Sequence, residues 1–289
     1  MPGGEAVLAV SSADRIAADG QAGGSTGLRS FTKTGAIALE RGYQYGFSDK
    51  GTAMFDRDGR QRKAWTMMRV LGEAIDTDMA ALAVLNVGGS AGIIDEYLSR
   101  YFGRVVGIDI DEKAIAYAQE NFSKDNLLFE VGDAMHLGYA ASSFDVVICS
   151  QVYEHVADAA VMMDEIFRVL KPGGLVYFAA GNRLMFNEPH YNLPLLSVLP
   201  RPLSHLYLKL SGKGSYYYEK HLSYWGLRRL VRKFELTDYT KPILQTPEKY
   251  NADYMVKPGS TKHKIATMLS RYAIWLVPGY IWVLTKPAA

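Results

Sequence analysis

The chain has 289 residues, of which 48% are apolar, so it is long enough and apolar enough to bury a full core. Its 32 Lys and Arg residues against 30 Asp and Glu residues give a net charge of +2, which gives no indication of a nucleic-acid partner. The single cysteine excludes an intrachain disulfide. The N-terminus carries neither a basic n-region nor a long apolar run, which predicts a cytoplasmic location.

The part before the first predicted strand holds a tail, a candidate lid and a helix. Residues 1–30 are rich in Gly, Ala and Ser and lack apolar periodicity, which predicts a flexible tail. Residues 41–59 mix aromatic, charged and glycine residues, and two interpretations stay open: packing beneath the edge of the core, or a lid with Tyr43 or Tyr45 reaching inward. Apolar residues recur at helical spacing over 62–71, which predicts a lead-in helix beside the sheet.

The first predicted strand ends in a cluster of small residues. The strand spans 82–87, and helical spacing follows over 91–102. A strand that enters a helix through glycines lets the polar part of a ligand approach backbone N–H groups near the positive end of the helix dipole. The small residues at this junction are Gly88, Gly89, Ser90 and Gly92.

The glycine cluster distinguishes between classes of nucleotide. A dinucleotide loop, G-x-G-x-x-G, requires glycines where Ser90 and Ile93 stand, so this loop provides poorly for the close approach of a pyrophosphate. The chain also has no G-x-x-x-x-G-K-[ST] motif for a triphosphate. Nicotinamide and triphosphate sites are therefore the less favoured interpretations.

Two later strands lead to carboxylates. Asp109 closes the second predicted strand, 104–109, and lies about 20 residues beyond Gly88, the spacing at which an acidic residue receives ribose hydroxyls. The third strand, 127–131, leads to Asp133, which could accept a hydrogen bond from an adenine amine. Ligands of parallel sheets bind beyond the carboxyl ends of the strands, so these positions are expected to converge there.

Strands and helices alternate through the middle of the chain. This alternation predicts a parallel sheet with helices on both faces. A sixth strand near 235–240 and a closing strand near 280–285 are separated by an insertion, and an amphipathic helix is predicted over 224–234. Besides the elements already given, strands are predicted near 144–150 and 174–180, and helices near 112–122 and 158–170.

Three further stretches follow the glycine cluster in order. They are Ser143-Phe-Asp-Val-Val-Ile-Cys-Ser150, Val152-Tyr-Glu-His-Val156 and Glu165-Ile-Phe-Arg-Val-Leu-Lys-Pro-Gly-Gly-Leu-Val176. The whole series, over residues 80–182, resembles the class I S-adenosylmethionine-dependent methyltransferases and, within that family, the ubiquinone and menaquinone biosynthesis-like group. The family's first motif reads acidic-x-G-x-G-x-G; here Asn86 replaces the acid and Ser90 the middle glycine. The resemblance implies an α/β fold with a doubly wound, mostly parallel, seven-stranded Rossmann-like sheet, an antiparallel closing strand and cap insertions.

The resemblance also implies an enzyme with S-adenosyl-L-methionine as its cofactor. Gly88 and Gly92 would shape the cofactor loop, Asp109 would bind the ribose and Asp133 the adenine amine. The expected acceptor is a small molecule or a lipid- or glycan-linked compound, methylated at a hydroxyl. The residues expected to bind the cofactor are Asn86, Gly88, Gly89, Ser90, Gly92, Asp109, Ile110, Asp133, Ala134 and Ser150.

Methylation of a hydroxyl calls for a general base, and histidine is the natural candidate. His155 follows the fourth strand at the expected catalytic edge, and His190 stands in a Glu-Pro-His-Tyr turn early in the cap. Tyr153 is the third candidate catalytic residue, because it also follows the fourth strand. His221, in Glu-Lys-His, is the weakest histidine candidate, since a cap histidine is more often a surface or packing residue.

No metal ion is predicted. Some quinone-pathway O-methyltransferases that resemble this region bind magnesium through Glu-x-x-Glu-His, and this chain has Gln151-Val-Tyr-Glu154-His155 at the same positions. Loss of the first carboxylate weakens a site for a hard cation, which prefers anionic oxygen.

An apolar stretch near the C-terminus raises the question of membrane contact. Residues 265–284 are apolar, but Arg271 and the Pro278-Gly279 pair interrupt them, and the uninterrupted part is too short to span a bilayer of about 30 Å. A cap helix followed by a sheet strand is predicted instead. Peripheral contact with lipid is a further hypothesis. The aromatic residues that would suit it are Trp275, Tyr280 and Trp282.

One domain with insertions is expected, and one rival to the enzyme hypothesis stays open. The rival is a catalytically silent nucleoside-binding or membrane-peripheral partner protein with the same fold, which Asn86 and Ser90 would favour. The oligomeric state and the methylated atom of the acceptor also stay open. The expected parts are a tail at 1–30, a lid and lead-in helix at 31–80, a cofactor-binding core at 81–182, a substrate cap at 183–222, and the rest of the sheet at 223–289 with an insertion near 241–277.

Overall fold

A seven-stranded sheet forms the centre of the protein. The computed structural model describes residues 44–49 and 52–288, so the predicted tail at 1–30 and Tyr43 lie outside the described residues. A separate two-stranded hairpin lies within the predicted cap. The strands in chain order are β1 (Ala83–Val87), β2 (Arg104–Asp109), β3 (Leu127–Val131), β4 (Phe144–Ser150), β5 (Leu170–Gly181), β6 (Asn187–Glu188), β7 (Leu193–Pro194), β8 (Glu235–Asp238) and β9 (Gly279–Thr285).

The order of strands in the large sheet is β3-β2-β1-β4-β5-β9-β8. Neighbouring strands pair in parallel except at β9, which is antiparallel to both β5 and β8. The chain builds outward from β1 to β3 and then crosses back to β4, so the order reverses between β1 and β4. Ligands of doubly wound sheets bind at such a reversal. The predicted Rossmann-like sheet with its antiparallel strand is confirmed.

Helices cover both faces of the sheet, as predicted. Successive residues of a strand point to opposite faces, so Leu85 packs in the core on the side of the fourth helix, whereas Val84 packs in the core on the side of the first three. The helices are α1 (Arg57–Ala74), α2 (Ile93–Leu98), α3 (Glu112–Asn121), α4 (Ala159–Val169), α5 (Arg201–Leu210), α6 (Tyr224–Leu230), α7 (Thr240–Gln245) and α8 (Thr261–Tyr272).

The cap between β5 and α6 has a small core of its own. The hairpin β6–β7 and helix α5 pack around Leu193, Leu196, Leu208 and Tyr217, all of which are buried. The second insertion holds α7 and α8, joined by a short 3₁₀ turn at Pro247–Tyr250. Both insertions lie at positions that the sequence predicts, but their internal structure does not follow from a regular apolar pattern.

Several predicted boundaries and orientations differ in the structure. Helix α2 ends at Leu98 rather than 102, and α6 ends at Leu230 rather than 234, because apolar spacing continues through the turns that follow. Trp65 of α1 belongs to the apolar spacing that predicts the lead-in helix, but it is 41% exposed and is not part of the core. Tyr280 and Trp282 are buried within β9 and cannot contact lipid, so that part of the membrane hypothesis is wrong. Among the described residues, none of the helices has both the length and the apolar character needed to cross a bilayer.

Candidate active site

A cavity of about 890 Å³ opens at the carboxyl ends of the central strands. It reaches from the loop after β1 to the cap and to helices α7 and α8. Nine residues that the sequence places in the site lie on its wall, in agreement with the expected convergence. They are Gly88, Ser90, Asp109, Ile110, Asp133, Ala134, Ser150, His155 and His190.

The loop between β1 and α2 takes its shape from left-handed backbone conformations. Gly88 and Gly92 have φ angles of +73° and +74°, and Ser90 has a φ of +56°. A side chain at Gly92 would place its Cβ 2.7 Å from both Ala118 and the Phe129 ring, so only glycine fits there. Ser90 Oγ is buried and has no hydrogen-bond partner among the described residues. An unpartnered buried hydroxyl on the cavity wall fits a polar ligand.

Asp109 is held at the end of β2 by backbone donors. Its Oδ2 accepts a hydrogen bond from the Ser90 N–H at 2.8 Å, and its Oδ1 accepts one from the Asp111 N–H at 3.0 Å. Burial raises the pKa of the Asp109 carboxyl. Each oxygen keeps a lone pair, so the carboxyl can accept a further hydrogen bond from a ligand in the cavity. Asp133 lines the same cavity, and its Oδ1 accepts from the Met135 N–H at 2.9 Å.

Three of the predicted cofactor residues, Asn86, Gly89 and Gly92, are not on the cavity wall but support it. Asn86 Nδ2 donates a 2.7 Å hydrogen bond to Asp95 Oδ1 on α2, and both side chains are buried. A Cβ at Gly89 would lie 2.8 Å from Asp95 Oδ2, so the loop passes directly over this carboxyl. Burial raises the pKa of Asp95 to about 7.

Two cationic side chains of α1 also line the cavity, and the sequence pattern did not indicate them. Arg60, which is half-buried, and Lys63, which stays exposed to solvent, both lie on the wall, and desolvation lowers the pKa of each. The charges of Asp109 and Asp95 raise the pKa of Arg60, against the effect of burial. The Arg60 guanidinium therefore lies near these two carboxylates, beside the loop between β1 and α2. These two residues therefore supply positive charge to a cavity whose other charged groups in this region are carboxylates.

A short segment before α1 closes part of the cavity. Gln44 and Phe47 line the wall, and the Gln44 side chain donates a hydrogen bond to the His155 carbonyl. The backbone and hydroxyl of Ser48 both donate to Asp111, at 2.7 and 3.0 Å. Tyr45 does not reach inward, since it is 51% exposed. Gln44 and Phe47 thus cover part of the cavity as a lid would, whereas Tyr45 does not, and Tyr43 lies outside the described residues.

His155 and His190 meet on the cavity wall. Their rings pack edge to face with centroids 4.8 Å apart, and the Phe47 ring lies 5.3 Å from His155. Burial, with a contribution from His190, lowers the pKa of His155 to about 3, so this imidazole is neutral near pH 7. Burial disfavours the charged form of His190, but the 2.6 Å hydrogen bond from Nδ1 to Glu188 and the charges of Glu188, Glu219 and Glu154 together outweigh it and raise the pKa of His190.

Tyr153 lies away from the cavity. It is 1% exposed, and its hydroxyl donates to the Gly181 carbonyl at 2.5 Å and accepts from the Leu222 N–H at 3.1 Å. Gly181 ends β5 and Leu222 ends the cap. This placement favours a structural role, in which Tyr153 joins the sheet to the end of the cap, over contact with a reacting group.

Beyond the cofactor loop the cavity is walled mainly by apolar side chains. They come from α7, from α8 and from the chain between them, which is the second insertion. An acceptor in this part would therefore lie mainly against hydrocarbon, although Lys262 of α8 also lines the wall and donates from its Nζ to the Met255 carbonyl at 2.9 Å. The apolar residues are Ile243, Leu244, Met255, Val256, Ile265, Ala266 and Leu269.

Comparison with known proteins identifies relatives of the chain. The family described as "Methyltransferase domain" matches residues 85–178. A ubiquinone biosynthesis O-methyltransferase of Thiobacillus denitrificans is 31% identical over 183 residues, which cover 61% of this chain and 75% of the relative. One of the same name from Albidiferax ferrireducens is 29% identical over 203 residues, covering 68% of this chain and 73% of the relative.

A solved structure agrees with the fold. The chain is similar to one from the Haloferax volcanii complex between the Trm112 methyltransferase activator and a methyltransferase. The TM-score is 0.52 and the sequence identity 20%, and the match covers 83% of this chain and 97% of that one. At this identity the likeness concerns the fold alone.

Proposed function

The chain belongs to the class I S-adenosylmethionine-dependent methyltransferases of the ubiquinone-biosynthesis-like group, and we propose that it methylates a hydroxyl of a small, largely apolar acceptor. The observation that carries this proposal is the continuity of the cavity. A polar region at the strand ends, suited to the cofactor, runs into an apolar region bordered by two imidazoles. The relatives named O-methyltransferases support a hydroxyl as the methylated group.

The residues on the polar side of the cavity fit S-adenosylmethionine, which supplies, when bound, a methyl group on a positively charged sulfur. Asp109 would hold the ribose and Asp133 the adenine amine. Ser90 Oγ, buried without a partner among the described residues, would meet a polar atom of the cofactor. Arg60 and Lys63 would bind the carboxylate of its amino-acid part, because they are the cationic groups on this side.

The apolar region defines the class of acceptor. Side chains of α7 and α8 offer hydrocarbon contact, and little of this wall carries charge. A phenol or catechol that bears an apolar substituent would bury that substituent here and present its hydroxyl to the polar region. Burial of apolar surface contributes about 25 cal/mol per Å², so an acceptor with a longer apolar substituent is expected to bind more tightly.

The proton of the acceptor hydroxyl is proposed to pass to His155. Its imidazole lines the cavity and packs against the rings of Phe47 and His190. The side chain of Gln44 donates a hydrogen bond to the backbone carbonyl of His155, which holds this part of the chain in place. As the oxygen of the methyl acceptor takes the methyl group, its hydroxyl proton becomes strongly acidic. A neutral and well-placed imidazole therefore suffices as the proton acceptor. Much of the remaining rate enhancement would come from alignment and exclusion of water.

A labelling experiment tests the proposal. The purified protein is incubated with methyl-labelled S-adenosylmethionine and matched aromatic compounds that carry a hydroxyl or an amine, with and without a long alkyl substituent. Label is expected on the hydroxyl of the alkylated compounds and in the organic phase. The His155→Gln variant should lower kcat about 10²- to 10⁴-fold with an unchanged cofactor Kd. Label on amines alone, or no label although the cofactor binds, would contradict the proposal.

Cytoplasmic location and peripheral contact with a lipid surface both stay predictions. What supports lipid contact is a set of exposed apolar side chains on the outer face of the cap and beside it. Leu203, Leu206 and Leu210 follow one face of α5, and Trp225 stacks on Trp275 with ring centroids 5.8 Å apart. An acceptor with an apolar substituent would be consistent with such a surface.

A further inference from the structure

The inner side of the cap holds a group of carboxylates and imidazoles that the methyl transfer does not require. Three of them, Glu188, His190 and His221, are called the cap clasp below. Glu188 lies on β6, His190 follows it by two residues, and His221 lies at the other end of the cap. The side chains of Glu188 and His221 are 0% and 2% exposed, and His190 is the member that also reaches the cavity wall.

The distances within the cap clasp suit a single bound ion. Glu188 Oε1 lies 2.6 Å from His190 Nδ1 and 3.4 Å from His221 Nε2, and the ligand atoms of the three residues all lie within 4.8 Å of one another. Zinc bonds of about 2.0–2.2 Å to nitrogen and oxygen place tetrahedral ligand atoms about 3.3–3.6 Å apart. Small side-chain adjustments would therefore bring all three atoms to one ion.

A buried carboxylate beside the clasp is a second, independent observation. Glu154 is 0% exposed, and neither of its carboxylate oxygens has a hydrogen-bond partner among the described residues. Burial raises the pKa of the Glu154 carboxyl, and the nearby charges of His221 and His190 act in the opposite sense. An ionised carboxylate without a partner is costly to bury, and proteins meet that cost with a paired charge or a metal ion. Two fully buried carboxylates, Glu154 and Glu188, thus surround the imidazoles of the clasp.

We propose that the cap clasp binds one divalent transition-metal ion of the zinc type through Glu188 Oε1, His190 Nδ1 and His221 Nε2. Two imidazoles and one carboxylate suit Zn²⁺ and Co²⁺, whereas Mg²⁺ and Ca²⁺ prefer sites made of oxygen alone. The sequence pattern of Gln151, Glu154 and His155 predicts no metal ion, and the present proposal departs from that prediction. The clasp uses different residues, which the sequence separates by up to 33 positions.

The ion would connect the start of the cap to its end and fix one side of the acceptor region. Glu188 and His190 lie near the start of the cap and His221 near its end, so a shared ion joins the two ends. With Nδ1 bound to the metal, His190 carries its proton on Nε2 and presents a donor to the cavity. His190 is then a positioning residue that packs against His155. This assignment does not depend on the identity of the acceptor.

Metal titration tests the assignment. The protein is prepared without a histidine tag, treated with chelator, and titrated with Zn²⁺ in a calorimeter and with Co²⁺ in a visible spectrometer. One ion per chain is expected, together with ligand-field bands of a Co²⁺ site of low coordination number. Glu188→Gln and His221→Gln should each weaken Zn²⁺ binding by at least about 100-fold. His136→Gln, which alters a histidine whose side chain is 78% exposed, should leave binding unchanged.

Several results would overturn the assignment. They are the absence of stoichiometric binding of either ion, wild-type affinity in Glu188→Gln and His221→Gln, and loss of binding in His155→Gln while His221→Gln still binds. Circular dichroism establishes that each variant is folded. If the clasp variants do not fold, wild-type protein is treated with diethyl pyrocarbonate, and modification of His190 and His221 is read by mass spectrometry. Zn²⁺ should protect both; equal modification with and without Zn²⁺ contradicts the site.

Discussion

The chain departs from the first motif of its family at Asn86, and the structure places Asp95 beside this residue. The amide of Asn86 donates to the Asp95 carboxyl at 2.7 Å, directly beneath the cofactor loop. The acidic group therefore lies on the helix side of the loop rather than at the end of β1. Asp95 Oδ2 is buried and has no hydrogen-bond partner among the residues that the structure describes. This carboxyl is consequently costly to ionise.

Replacement of Asp95 by Asn should remove a pH dependence of stability. The pKa of about 7 in the folded state lies above the value of about 3.9 in an unfolded chain, so the folded state holds its proton longer as the pH rises. The free energy of unfolding should therefore fall between pH 5 and pH 8, by about 2 kcal/mol from this group. Urea unfolding of both proteins at both pH values measures it. An equal fall in Asp95→Asn would contradict the argument.

Asp109 is expected to contribute directly to cofactor affinity. Asp109→Ala should weaken binding of S-adenosylhomocysteine by about 1.5–3 kcal/mol, the range for hydrogen bonds to a charged group. Calorimetry measures the change, and Asp164→Ala serves as control because Asp164 lies on the exposed side of α4, paired with Lys233. Adenosine should lose affinity to a similar extent, since it keeps the ribose. Unchanged affinity for both ligands would remove Asp109 from this role.

Residues that follow a strand could be predicted, whereas residues brought together by the cap could not. Asp109 and Asp133 were found because their place at a sheet edge follows from the strands that precede them. Glu188 and His221 lie 33 positions apart, and no local pattern indicates that their side chains meet. Asn86 and Gly89 were expected to contact the cofactor but do not line the cavity, because spacing gives a position along the chain and not the direction that a residue faces.

At the scale of elements, α1 does more than pack against the sheet. Its apolar face is buried through Met67, Val70 and Leu71, as its helical spacing predicts. Lys63, about one turn before Met67, and Arg60, about two turns before it, line the cavity. A cationic residue on an amphipathic helix usually faces solvent, so the pattern alone gave no reason to assign them to the site.

The cationic part of α1 is expected to bind the amino-acid part of the cofactor. Arg60→Gln should weaken binding of S-adenosylhomocysteine by about 1.5–3 kcal/mol, because a hydrogen bond between charged groups is lost. Binding of adenosine, which has no carboxylate, should not change. Arg69→Gln is the matched control, since Arg69 is an exposed cation on the same helix. Equal losses for both ligands would show that Arg60 acts on the loop or the ribose instead.

At the scale of the whole molecule, the seven strands of the sheet could be predicted, whereas the insertions that cover it could be predicted only in outline. Alternating strands and helices give the approximate strand positions, and the family resemblance implies the doubly wound sheet, whose order reverses between β1 and β4. The cap at 183–222 and the second insertion were located by the loss of that alternation. Their helices, and the cavity wall that they form, depend on contacts between distant segments, which a single sequence does not reveal.

The segment 44–49 touches both halves of the cavity at once. Ser48 is bonded to Asp111, two residues beyond Asp109, while Gln44 is bonded to the carbonyl of His155. A ligand in one half of the cavity that stabilises these contacts of segment 44–49 would also favour binding of a ligand in the other half. Thermodynamic linkage then requires reciprocity: the factor by which the acceptor tightens the cofactor equals the factor by which the cofactor tightens the acceptor. Any coupling between the two ligands that passes through these six residues would also act between the spent cofactor and the methylated product.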